Sequence, residues 1–141
     1  MGRLRVITLG LLAVLVLGGL AGGLALVTDP TGGRLGMTVD ALPGWTLLDD
    51  YRLPGIALIV LFGVLPIAAL VQLVRHRASG WTLTTAVGVL LVFWMLGQIA
   101  AIGLAFPAIQ AGFLIGGVLL TGLGLDGSTT VGTTASSRAR A

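Results

Sequence analysis

Four long apolar runs, separated by short polar segments, dominate the chain at residues 4–27, 53–74, 81–105 and 107–125. Each holds about 19 to 25 residues. At a helical rise of about 1.5 Å per residue, that length crosses a hydrocarbon core of roughly 30 Å. None contains an ionisable side chain once the arginines at its edges are set aside. Backbone N–H and C=O groups in lipid must pair within their own segment, so the runs are expected to be helices. The expected fold is therefore an all-α membrane protein, a bundle of four transmembrane helices within residues 1–125.

The connections differ in kind. Residues 28–52 form a loop of about 25 residues. The second connection, 75–80, is a short basic turn. The third is nearly absent, centred on Phe106 and Pro107, so helices three and four are expected to form a tight antiparallel hairpin. The tail 126–141 is rich in Gly, Ser, Thr and Arg and is expected to be disordered. The first run has a second reading as a secretory signal. Its apolar stretch exceeds the 7–15 residues typical of a signal core, which favours a retained helix. Ala21 and Ala25 near its end keep cleavage open.

Composition supports lipid as the solvent of this chain. Hydrophobic residues make up 56% of the 141 and charged residues 9%. A soluble domain carries about 25% charged residues. A chain this short has too much surface to hide so much apolar side chain in one core. Every basic residue is Arg and every acid is Asp, a bias consistent with a GC-rich genome. The net charge of +3 does not point to nucleic acid, because the arginines are spread over loops and both tails. Their placement sets an expected orientation. Arg3, Arg5, Arg75, Arg77, Arg138 and Arg140 fall on one side, and Arg34 and Arg52 on the other. The positive-inside rule then puts both termini in the cytoplasm and the 28–52 loop outside, in a bacterial cytoplasmic membrane.

Candidate chemistry is sparse. There is no cysteine and a single histidine, His76. Thiol catalysis, thiolate zinc sites and any site needing two imidazoles in one chain are thereby excluded. No ionisable residue stands within the spans, where ion-coupled transporters usually place one. No cofactor, metal or catalytic residue is expected. His76 lies between Arg75 and Arg77 and reads as part of a topology anchor near anionic headgroups. In the long loop, Asp49 and Asp50 precede the second helix, where they suit its N-terminal dipole. Trp45 and Tyr51 suit the membrane–water interface. With Arg52 they form a candidate external surface, and a cation at the two Asp residues is an alternative reading.

Within the spans, Trp94 and Gln98 share one face of helix three, and Gln110 lies one turn into helix four. These three are candidates for interhelical hydrogen bonding or for the lining of a polar cavity. Gly18, Gly19, Gly22 and Gly23 form two overlapping Gly-x-x-x-Gly patterns in helix one, and Gly112 and Gly116 form another in helix four. Such faces allow close backbone approach, within the bundle or between copies. Pro66 lacks the N–H that would bond to Phe62 and is expected to kink helix two.

The segment Leu42-Pro43-Gly44 through Asp50-Tyr51-Arg52-Leu53-Pro54-Gly55, together with Trp94-x-x-x-Gln98 and Gln110, resembles a group of small four-helix membrane proteins of high-GC bacteria. The group has no established activity, so the resemblance implies the fold but no site residue. Three functional readings follow. The first is a non-enzymatic accessory or scaffold subunit with a membrane-protein partner or a second copy. The second is a transporter-like protein that binds a small molecule or lipid. The third is a membrane enzyme using the external Asp residues.

Overall fold

A computed structural model describes residues 2–141 of the chain. Four helices account for most of it: α1 (Gly2–Thr28), α2 (Arg52–Val74), α3 (Ser79–Ile102) and α4 (Pro107–Arg140). Each is long and apolar enough to cross a membrane. No strand occurs among the described residues. The chain is an all-α, four-helix membrane bundle.

Glycine makes the two principal seams. Between α1 and α2, a Cβ on Gly19 would lie 2.5 Å from the Phe62 carbonyl carbon, and one on Gly23 would lie 2.7 Å from the Gly55 carbonyl oxygen. Between α3 and α4, a Cβ on Gly88 would lie 2.7 Å from the Gly117 carbonyl oxygen, and one on Gly124 would lie 2.6 Å from the Thr85 nitrogen. Real Cβ atoms do not approach backbone so closely, so both pairs of helices touch backbone to backbone. Lipid and side chain are equally apolar, and such contact is where helix association in a bilayer draws its van der Waals energy. The core between the seams contains Leu12, Leu15, Phe62, Leu73, Trp81 and Leu91. Thr8 and Thr84 are buried too, and each hydroxyl donates to the carbonyl four residues earlier, at 2.8 Å. The outward faces are also apolar, with Val6, Leu17, Val74 and Phe93 all exposed.

Helix α2 is interrupted by a π turn over Val60–Val64, in which the Leu65 N–H donates to the Val60 carbonyl. Pro66 explains it. The residue has no N–H, and its ring would strike the carbonyl four residues back. One extra residue in the preceding turn relieves both problems. The Phe62 carbonyl, which Pro66 cannot bond, lies against Gly19 of α1.

The turns are built locally. Helix α2 ends in a Schellman motif, with Arg77 N–H donating to the Gln72 carbonyl at 2.9 Å and His76 N–H to the Leu73 carbonyl at 3.0 Å. His76 takes the left-handed position at φ 57°, where glycine is usual. Helix α3 stops at Ile102, three residues short of the expected 105, because Gly103 turns the chain at φ 68°. Pro107 opens α4, where a missing N–H costs nothing.

The tail departs from the expectation of disorder. Helix α4 runs through Arg140. Its 34 residues span about 51 Å, well beyond a roughly 30 Å hydrocarbon core. Gly127 packs on the Trp81 ring, and Val131 packs against the core. Along the same stretch, the hydroxyls of Ser128, Thr130 and Thr134 donate to carbonyls one turn earlier, at 2.8 to 2.9 Å. Side chains that signal a loop in sequence here satisfy themselves inside a helix.

Candidate functional site

The long loop is compact, with three single 3₁₀ turns at Gly33–Leu35, Val39–Ala41 and Gly44–Thr46. Tyr51 is its hub and is 4% exposed. Its hydroxyl donates to the Thr38 carbonyl at 2.9 Å, and its N–H donates to the Pro30 carbonyl at 2.9 Å. Its ring lies against Gly32, whose φ of 80° and lack of a side chain let the loop fold over the ring. Burial pushes the Tyr51 hydroxyl above its ordinary pKa. At the first bend, the Asp29 carboxylate accepts the Thr31 hydroxyl at 2.6 Å and the Arg34 N–H at 3.0 Å. The Thr31 hydrogen bond holds the Asp29 carboxyl below its ordinary pKa, with the Arg34 N–H and its guanidinium acting in the same direction.

The other loop candidates scatter. Asp50 accepts the Arg52 N–H at 2.9 Å and so serves the entry to α2. Asp49, Trp45 and Arg52 are exposed. No cluster of three or more metal-ligating side chains occurs among the described residues.

The loop does build one thing with the helices: the roof of a cavity of about 460 Å³. Met37, Leu42, Leu48 and Tyr51 come from the loop, and Pro54, Leu58 and Leu61 from α2. Helix α3 presents a continuous stripe at helical spacing: Leu90, Phe93, Trp94, Gly97, Gln98 and Ala101. The π turn carries Leu61 onto the wall and Phe62 into the core. There Phe62 meets Trp94 edge to face, with ring centroids 5.7 Å apart at 68°. That geometry suits the aromatic quadrupoles and fixes the indole on the wall of the cavity.

Trp94 and Gln98 thus share a cavity, but Gln110 does not join them. Gln110 is 2% exposed and is consumed by the hairpin. Its side-chain NH₂ donates to the Gly103 carbonyl at 3.0 Å, and its side-chain oxygen accepts the Phe106 N–H at 3.3 Å. Both backbone groups flank the turn and would otherwise be unpaired. Gln98 makes no side-chain hydrogen bond among the described residues, so its amide is free to face the cavity.

The glycine patterns divide in the same way. Gly18 meets the Phe113 ring of α4, Gly22 touches Leu58 lightly, and Gly19 and Gly23 form the α1–α2 seam. Gly112 and Gly116 meet nothing within 4 Å. They take no part in packing within the chain. Instead they line a surface groove of about 360 Å³ between α1 and α4, with Leu11 and Val14 opposite. The glycines that do hold α4 are Gly117, Gly124 and Gly127, which carried no pattern to single them out.

At the opposite end from the loop, the Arg5 guanidinium reaches across to His76 Nδ1. Two buried atoms nearby in sequence, Arg5 Nε and Gln72 Oε1, have no hydrogen-bond partner. The contact ties the start of α1 to the α2–α3 turn, and the left-handed backbone at His76 is what aims the imidazole there.

No protein-family description, no curated protein and no solved structure matches this chain.

Proposed function

We propose that this protein binds a small apolar molecule within the membrane and that it does so without catalysis. The cavity carries the reading: it is roofed by an ordered loop, walled by α2 and α3, and lined almost wholly by apolar side chains with one unspent amide. Binding sites for small molecules have this make-up, an apolar concavity with few polar groups. The arginine distribution supports an external position for the loop and cytoplasmic positions for both termini, in a bacterial cytoplasmic membrane. The resemblance to small four-helix proteins of high-GC bacteria belongs to the same reading.

Gly97 supplies a clean test. A Cβ there has nothing within 4 Å, so a larger side chain enters free space. Protein purified in mild detergent is expected to retain an apolar molecule, detectable by mass spectrometry after denaturation, and Gly97→Leu is expected to lose it. Equal retention by both proteins would refute the reading.

A second reading, an accessory or scaffold subunit, draws on the open Gly112 and Gly116 face. A helix from a partner or a second copy fits such a face better than a bulky one. Crosslinking in native membranes tests it, with Gly116→Leu expected to abolish the crosslinked species and Gly97→Leu to leave it intact.

A further inference from the structure

We infer that the cavity takes an uncharged amphiphile that enters from the bilayer: an apolar chain ending in one hydroxyl or carbonyl group, held by Gln98. This rests on the proposed binding function and adds the ligand's class, its orientation and its route.

The polar inventory of the cavity excludes a charged headgroup. Among the described residues, Tyr51 is the only titratable one on its walls, and its hydroxyl is already given to the Thr38 carbonyl. The Thr46 hydroxyl is likewise given to Pro43, at 2.7 Å. No Arg, Asp or His among the described residues lines the space. A phosphate, carboxylate or ammonium would be desolvated there with no counter-charge, which is strongly unfavourable. The Gln98 amide offers an acceptor oxygen and two N–H donors, so it can pair with a hydroxyl through either end or with a carbonyl through its NH₂.

Position along α3 orients the ligand. Gln98 lies one turn, about 6 Å, from the end of the helix at Ile102. From Gln98 to Leu90 the wall runs a further 12 Å or so toward the bilayer centre, faced by Leu58 and Leu61 of α2. The polar end therefore sits at Gln98 under the loop, and the chain extends downward. Phe93 indicates the route. It lines the cavity and is 69% exposed. Gly97, one turn further along the same face, adds no side chain to close that wall. The roof on the water side is built from Met37, Leu42 and Leu48, which offer nothing to a hydrated solute. On this reading the open side, at Phe93 and Gly97, faces lipid, and the loop side faces water.

The test uses the full chain reconstituted in phosphatidylcholine vesicles. Three photoreactive probes share one hexadecyl chain and differ in the head: an alcohol, a carboxylate or a trimethylammonium. Labelled peptides are mapped by mass spectrometry and competed with the unlabelled compound. The alcohol is expected to label residues 90–102 saturably, at least about tenfold above the other two. Gln98→Leu is expected to lower that labelling about fivefold, the effect of one lost hydrogen bond, and to leave helicity by circular dichroism unchanged. Gly97→Leu is expected to remove saturable labelling by every probe. Equal or stronger labelling by a charged probe would overturn the ligand class, and an unaffected Gln98→Leu would overturn the role of the amide. In either case, loss of labelling in Gly97→Leu leaves the binding function standing. If Gly97→Leu labels like the unsubstituted protein, the binding function itself fails and this inference fails with it.

Discussion

Replacing one glycine at a time with alanine distinguishes the seam of the bundle from its open face. At Gly19 the new methyl would lie 2.5 Å from the Phe62 carbonyl carbon and 2.8 Å from the Phe62 Cβ. The obstacle is backbone, fixed by the π turn and Pro66, so it cannot rotate aside. Overpacking of a tight site costs about 1–3 kcal/mol, and an immovable neighbour places this case near 3 kcal/mol. Alanine's greater helix preference offsets about 1 kcal/mol, which leaves a net loss of about 2 kcal/mol. At Gly112 nothing lies within 4 Å, and only the helix preference remains, a gain of at most about 1 kcal/mol. The two variants should therefore differ by about 2–3 kcal/mol, or roughly 30- to 150-fold in the unfolding equilibrium constant. Titration of folded protein in mixed micelles with sodium dodecyl sulfate, followed by far-ultraviolet circular dichroism, measures this difference. A Gly19→Ala protein as stable as the unsubstituted one would refute the backbone-contact account of the α1–α2 seam. A Gly112→Ala protein as damaged as Gly19→Ala would show that the open face is covered in solution, which would favour the subunit reading.

Three other outcomes follow from the turns and the loop. Gln110→Leu removes both side-chain hydrogen bonds that close the α3–α4 hairpin; because Gly103 is exposed and Phe106 half-buried, the same titration should show a loss of about 0.5–1.5 kcal/mol per hydrogen bond. His76→Gly relieves the left-handed backbone, worth about 1 kcal/mol, whereas the β-branched side chain of His76→Val worsens it; both give up the Arg5 contact, so the unfolding midpoint of His76→Val should fall below that of His76→Gly. Asp29 has a folded pKa below its unfolded one, so its contribution is present above the ordinary carboxylate range and is lost as pH falls through the lowered value. Protection factors against hydrogen exchange at residues 31–36, corrected for the slower intrinsic exchange in acid, should therefore fall on acidification below that range, and Asp29→Asn should remove most of that pH dependence.

The hydropathy pattern by itself determined the class of molecule. Four runs without internal charge, each the length of a bilayer core, leave helices as the only way to pair their backbone groups, and the structure has four such helices. The tight link at Pro107 was equally legible, because so few residues separate two apolar runs. So was the kinship of Trp94 and Gln98, since a spacing of four places side chains on one helix face.

Tertiary structure decided which faces matter, because the sequence carries little to mark them. A helix in water shows its buried side by contrast with a polar one, whereas these helices are apolar on every side and lipid solvates what protein does not. Gly112 and Gly116 match a packing pattern, yet they face outward, while Gly88, Gly117 and Gly124 carry the contact. Gln110 has the composition of a cavity residue, but the geometry of a tight turn claims both ends of its amide. The tail reads as a loop by residue type, but contact of Gly127 with Trp81 extends α4 past the end of the apolar run. The cavity itself needed a loop about 25 residues long to fold around Tyr51 and bring Met37, Leu42 and Leu48 over α3. Contacts that distant in sequence leave no periodic trace, and only the folded chain shows that Gln98 lies beneath them.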